Sequence, residues 1–458
     1  MPINFGTDSP LAVQNLPSSF APSGVPIGWY NARRKLLVKL ATSYLGDANS
    51  AVAVMSSQGV ADTSDPNVQK TREGFNELRV RLPVLNQYYN YTASHGGIPD
   101  TEALAKVKSI VLAWASINQP TGKPIDETNF ENLLRVIGNR WGNFSAGEQA
   151  TITTWLNALK TAKESWSFNP ATGEGKLQYG NHYAHHYKIL LRVYQLLGLT
   201  TSYNTLVSNV TTFATQNFPF GNGAITKPAK FTITGINQGA KKITIAGNQT
   251  ASFFTTWLDK VYVQSGPNAG WYTFVSATFT GGNTEVVVSE SLPSATVAGS
   301  LFGSYNNSTH DMAREAESTG ESIDMIRRDA LHYHQYDLEP WIEIAIITGA
   351  FGSVVDNAFT FLSDWIRTPS RKRYEFFATT DTFDAIRWQA SRSEYLHPRA
   401  MYQPDDAARC IFAYEYYKKI ASPSFQVNER LLAAANRSNK IESSWYYYFR
   451  WVFQGLYG

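Results

Sequence analysis

The chain has 458 residues, 43% hydrophobic and 17% charged, with a formal net charge of +3, which excludes disorder by composition and leaves room for a large core or two domains. No apolar run approaches the roughly 18 residues that span a bilayer, and the opening MPINFGTDSPLAVQNLPSS has neither a basic nor an apolar leader region, so no membrane segment and no secretory signal are expected. A single cysteine, Cys410, excludes an internal disulfide framework and reads as a small core residue.

In chain order, a first helix is expected at 31–45. In TEALAKVKSIVLAWASI, Leu104, Val107, Val111 and Trp114 recur as one stripe of an amphipathic helix. In SAGEQATITTWLNALKTA, Ser145 and Glu148 have capping-box spacing, and Ile152, Trp155, Leu156 and Leu159 follow on one face. Further helices are expected at 183–198, 202–216, 331–349, 352–367 and 405–420, joined by short links rich in Gly, Pro, Asn and Thr. Between 224 and 304 the period changes. KFTITGI, KKITIAG, KVYVQSG, GWYTFVSATF and TEVVVSESL alternate apolar with polar residues and are rich in strand-forming Val, Ile, Thr and Tyr.

Consecutive helices with short connections imply helical hairpins. With no TPR-like or ankyrin-like repeat, they are expected to close as a toroid rather than stack as a solenoid. The expected fold is therefore mainly α: an incomplete α/α toroid, residues 1–223 and 305–458, with a small all-β domain inserted at 224–304. Insertions are tolerated at exposed loop tips, so NFPFGNG before the insert and GSYNNST after it should lie close together.

Aromatic residues make up 14% of the chain, with 12 Trp and 25 Tyr. They fill cores, but beside charged residues they also offer flat faces and polar tips to sugar rings. Arg367, Arg371, Lys372, Arg373, Arg387, Arg392 and Arg399 cluster late in the chain, which fits an anionic partner or a solvated basic face. Two stretches could carry chemistry. In YGNHYAHHYKILLRVYQLL, residues 179–197, His182 and His186 share a helix face with His185 one step round, either as metal ligands, although the Glu that a zinc protease needs after His182 is absent, or as core histidines. In RRDALHYHQYDLEP, residues 327–340, Tyr333 and Tyr336 share a helix face, Arg327 and Arg328 lie one to two turns upstream, and His332 and His334 flank the first tyrosine. A guanidinium beside a tyrosine favours the phenolate, which can take a proton and return it. The alternative is that these side chains only decorate a helix start.

ALHYHQYDLEP, residues 330–340, resembles the ALxYHxYALxPL signature of the alginate lyase superfamily, especially polysaccharide lyase family 5, and GNHYAH resembles that family's NNHxxW segment. VLAWAS at 111–116 and TTWLNALKTA at 153–162 are similar to further segments of the family in the same order. The resemblance implies an incomplete α/α toroid that cleaves alginate, mannuronate-type first, or another uronate polymer by β-elimination, with no metal or organic cofactor. Asn181 and His182 match the family's Asn-His pair, Tyr333 its catalytic tyrosine and Tyr336 the tyrosine three residues on. The family's arginine position falls on Ile326, so Arg327 or Arg328 takes that role, and Gly180 stands where the family has the first Asn of NNH. Tyr336, His186, Arg140, Trp141 and Arg387 are the expected substrate-binding residues.

The expected partner is an anionic polysaccharide, with no nucleic acid and no membrane. The insert is similar to small β modules of bacteriophage virion proteins, so a virion or extracellular location is expected. Two other readings stay open: a non-catalytic polysaccharide-binding virion protein on the same scaffold, and a metal-dependent enzyme built on His182, His185, His186 and His334.

Overall fold

The structure is a computed structural model in which residues 27–46, 53, 73–75, 77–95, 100–166, 180–220, 230–253, 260–303, 318–327, 330–367 and 408–421 are described. Before the insert these hold α1 (Ile27–Gly46), a π-helical turn at Glu77–Arg81 running into α2 (Leu82–His95), α3 (Thr101–Ile117), the short α4 (Pro124–Glu127), α5 (Phe130–Arg140), α6 (Ala146–Ser165), α7 (Asn181–Leu196) and α8 (Thr200–Asn217). After it come α9 (Ile323–Arg327), α10 (Ala330–Thr348), α11 (Gly352–Arg367) and α12 (Ala408–Ala421).

Local chemistry sets the helix ends. The Asp100 side chain accepts from the N–H groups of Glu102 and Ala103 at 3.0 and 2.9 Å and so starts α3. That helix buries Val107, Ile110, Val111 and Trp114, while Leu104 stays half-buried. At α6 the capping box forms in full: the Ser145 N–H donates to Glu148 Oε2 at 2.7 Å and the Glu148 N–H donates to Ser145 Oγ at 3.4 Å. Ile152, Trp155, Leu156 and Leu159 are buried on its inner face. Pro340 sits inside α10 and removes the N–H that would otherwise donate to the Tyr336 carbonyl.

α7 is the hub, with α4, α5, α6, α8 and α10 packed against it. Its Ile189 and Val193 join one core with α2, α3, α5 and α6, and its Ala184, Leu190, Leu191 and Tyr194 join a second with α1, α8, α10, α11 and α12. Lys188 pairs with Glu131 and Leu196 lies against Gly138, so α5 and α7 run in the same direction. Tyr203 Oη donates to the Ile347 carbonyl at 3.0 Å and Asn217 Nδ2 to Asp337 Oδ1 at 2.9 Å, so α8 runs antiparallel to α10. α8 is also antiparallel to α7, to which a short turn joins it; the first turns of α7 and α10 therefore lie at the same end.

Residues 230–253 and 260–302 form a closed antiparallel barrel of β1 (Lys230–Asn237), β2 (Lys242–Ala246), β3 (Lys260–Gln264), β4 (Gly270–Thr280), β5 (Asn283–Val288) and β6 (Ser300–Phe302), in the order β1-β2-β5-β4-β3-β6. Ile233, Ile243, Ile245, Val261, Val263, Val286, Val288 and Leu301 fill a core made only of barrel residues. β4 turns into β5 through Gly281 and Gly282, whose φ values of 58° and 82° are what a two-residue hairpin turn demands. The first five strands coincide with the five alternating segments of the sequence, whereas β6, three residues long, is too short to show a period.

The mainly α toroid expectation is corrected on two counts. The chain combines its helices with a six-stranded sheet, a mixed α plus β protein, and the described helices, five of which pack against α7, are not shown to form a toroid. Amphipathic periodicity specifies that a helix has a buried face; ring closure depends on long-range pairings that no local pattern encodes. The segments flanking the insert, 221–229 and 304–317, lie outside the described residues, but the helices next to them, α8 and α9, pack against each other. Cys410 is buried on α12, its Sγ 3.7 Å from the Gln335 carbonyl oxygen. Among the described residues no helix is long and apolar enough to cross a membrane.

Candidate functional site

α7 begins without a cap of its own, because Gly180 at its N-cap has no side chain to offer. The cap comes from α9. Asp324 Oδ2 accepts from the Asn181 backbone N–H at 2.7 Å and from the Asn181 side-chain amide, with Asn181 5% and Asp324 1% exposed. A carboxylate at a helix start also meets the positive end of the helix dipole. Gly180 is what lets it approach: a Cβ there would stand 2.7 and 2.9 Å from the two Asp324 oxygens. Gly180 and the buried Asp324 are therefore one feature.

A second polar chain continues from α9 to α10. Ser322 Oγ accepts from the Met325 N–H at 3.2 Å and lies 3.1 Å from His334 Nδ1, while His334 Nε2 lies 3.0 Å from the Ala358 carbonyl. A carbonyl only accepts, so Nε2 carries the proton and Nδ1 accepts from Ser322. Burial holds the His334 pKa down at about 4, so the ring is neutral near pH 7. It packs edge-on against Phe361 and fixes the first turns of α10 between Ser322 and α11.

Asn181 and His182, both buried, open α7; Tyr333 and Tyr336, both half-buried with ring centroids 5.6 Å apart, occupy the first two turns of α10 at the same end. Arg327 closes α9, three residues after Asp324, but its side chain lies outside the described residues, as do the side chain of Arg367 and all of Arg328 and of the late basic cluster from Arg371 to Arg399, Arg387 included.

Of the remaining substrate-binding candidates, His186 lies one turn along α7 from His182, whereas Arg140 and Trp141 sit apart from this end. His186 is buried against Trp166, ring centroids 4.9 Å apart, and its pKa is driven well below the ordinary 6.5 by burial and then by the positive Lys163 nearby. Arg140 is held on α2 by Asn86 Oδ1 at 2.7 Å and by Asn90 Oδ1, and lies over the Tyr89 ring at 4.5 Å. Because α5 and α7 run in the same direction, Arg140 and the partly exposed Trp141 lie at the far end of α7, about 25 Å along the axis from Asn181 at 1.5 Å per residue.

The histidines proposed as metal ligands do not converge. His334 uses both ring nitrogens, His185 Nδ1 lies 2.7 Å from Thr128 Oγ1, and among the described residues no three His, Cys, Asp or Glu side chains are grouped to hold a metal ion.

No family model, curated protein or solved structure matches this chain.

The residues the sequence left unmarked are Asp324, Ser322 and the steric role of Gly180. ESIDMIRR carries a weak signal, since Ser322 is a sound helix start and Asp324 falls in its first turn. Nothing local announces a partner 143 residues away.

Proposed function

We propose that this protein is a polysaccharide lyase that cleaves a uronate-containing anionic polysaccharide, mannuronate-type alginate first among them, by β-elimination. The observation that carries the reading is the Asn181–Asp324 contact. It ties the start of the helix bearing Asn181 and His182 to the short helix that ends in Arg327 and leads to Tyr333.

In a uronate the C5 proton is weakly acidic, because the ionised carboxylate resists the charge left at C5. Asn181 as donor, His182 as donor and Arg327 or Arg328 as cation are the groups to neutralise that carboxylate; losing one such donor commonly costs about a hundredfold or more in rate. Tyr333 as phenolate takes the C5 proton, and the C5–H electron pair forms the C4=C5 double bond. The C4–O4 bond breaks with its pair on O4, and Tyr333 returns the proton to that oxygen when both lie on the same face, a contribution of roughly 10²- to 10⁴-fold. The barrel, with its separate core, is proposed to serve attachment to a virion or other carrier rather than chemistry.

The test is a panel of polymannuronate, polyguluronate, glucuronan and capsule extracts, followed by the near-UV absorbance of the unsaturated product. Absence of both absorbance and viscosity loss on every polymer sinks the lyase. Tyr333→Phe should lower kcat at least about a hundredfold with binding retained; a near wild-type rate moves the base elsewhere. The second reading, a binder without turnover, draws on the same contact, since Asp324 already engages the Asn181 amide. It predicts saturable polysaccharide binding with no absorbance change.

A further inference from the structure

We infer that Asp324, admitted by Gly180, is a positioning residue for Asn181, fixing the plane of its carboxamide at the start of α7. The inference rests on the lyase reading above. A primary amide has two N–H donors and one acceptor. Asp324 engages the side-chain amide nitrogen and also accepts the Asn181 backbone N–H, both on the single oxygen Oδ2, so side chain and backbone are held to one point. The remaining N–H and the amide oxygen then have one direction instead of a rotamer distribution. The anchor is buried, with Asp324 1% exposed. It is also sterically specified, because any side chain at 180 would place its Cβ within 3 Å of both carboxylate oxygens. In a site whose rate depends on an aligned donor, a displacement of about 1 Å is worth about a hundredfold.

The two bonds ending on one oxygen give the inference its test. In Asp324→Asn an amide oxygen can replace Oδ2 and keep both bonds while removing the charge. Kinetics on the polymer that the wild-type protein cleaves should give Asp324→Ala a kcat about a hundredfold down with KM changed less than about threefold. Asp324→Asn should stay within about fivefold of wild type. Gly180→Ala should behave like Asp324→Ala, and the double variant should be no worse than either single one. A kcat for Asp324→Ala near wild type overturns the inference, and so does Asp324→Asn falling as far as Asp324→Ala, since the charge would then matter rather than the placement.

Hydrogen exchange at residues 180–184 is read beside the kinetics. It should quicken in Asp324→Ala and Gly180→Ala and stay slow in Asp324→Asn. Unchanged exchange in Asp324→Ala overturns the anchor whatever the activity. A wild-type protein that cleaves no uronate polymer defeats the lyase reading, and the exchange pattern then still decides whether Asp324 fixes Asn181.

Discussion

The helical part and the barrel bury different chemistry. Around α7, Lys163 and Glu127 pair at 2.9 Å with both side chains fully buried, Lys188 reaches Glu131 at 2.5 Å, and Arg135 pairs with Glu343. Trp341 Nε1 donates to Asn217 Oδ1 at 2.7 Å, and Asn217 in turn donates to Asp337. In the barrel the buried polar residues, among the described residues, are Asn268 and Thr284, and the core is Ile, Val, Leu and Phe with one tyrosine, Tyr272, whose hydroxyl donates to the Asn268 carbonyl at 2.9 Å. The difference follows from how each part fixes its register. Barrel strands are aligned by their own ladder of backbone hydrogen bonds and by alternation, so the core only has to be apolar. Helices satisfy their backbones internally and could slide or rotate on an apolar face; buried polar pairs mark one alignment.

The largest test of that contrast is Lys163→Met. It strands the Glu127 carboxylate, which keeps the Thr121 and Gly122 N–H groups at 2.5 and 2.9 Å and the Thr121 hydroxyl at 3.5 Å. Breaking a buried pair on one side should cost the helical part about 3–5 kcal/mol in chemical denaturation, while hydrogen exchange in the barrel stays unchanged. An equal loss in both parts would mean that they unfold as one unit.

Acid should separate the two regions next. His334 has a folded pKa of about 4 against an ordinary 6.5, and His186 is shifted in the same direction. Below pH 6.5 the unfolded chain binds protons that the folded one refuses, so stability is full above pH 6.5 and is lost as pH falls toward 4. His334 alone contributes a loss on the order of 3 kcal/mol. Residues 230–302 contain no histidine, so barrel unfolding should stay flat between pH 6.5 and 5. A barrel that weakens in parallel would show that its stability is borrowed from the helices. The smallest effect belongs to Ile245→Val in the barrel core, fully buried, which should cost about 1 kcal/mol and be read only in barrel exchange.

Legibility in the sequence follows the same division. The stripe of 101–117, the Ser145–Glu148 box and five of the six strands could be read directly, because each is written within a few residues. Leu104 misled slightly: Ile110 is buried in its place, since α3 faces three neighbours, α1, α2 and α6, and its buried arc is rotated from the stripe first chosen. The site was half legible. Tyr333 and Tyr336 were marked by residue type and spacing, Asn181 and His182 as a pair by the family resemblance, and the chain places all four at one end of parallel helices. Arg140 and Trp141 were chosen by residue type alone, and the direction of α5 carries them to the other end. Asp324 showed only as an acidic residue in a short helix's first turn, because its meaning lies in Gly180, a residue with no side chain to signal it.

The Asn181–Asp324 contact also has a consequence in time. Its two halves are separated by 143 residues, and the entire barrel is made between them. At a synthesis rate of roughly 5–20 residues per second, α7 waits about 7 to 30 s on the ribosome before the residue that caps it exists. The barrel, whose core needs nothing from the helices, can fold during that pause. The helical part would then be completed last, as the emerging α9 and α10 dock onto a hub whose first turn has been held open for them.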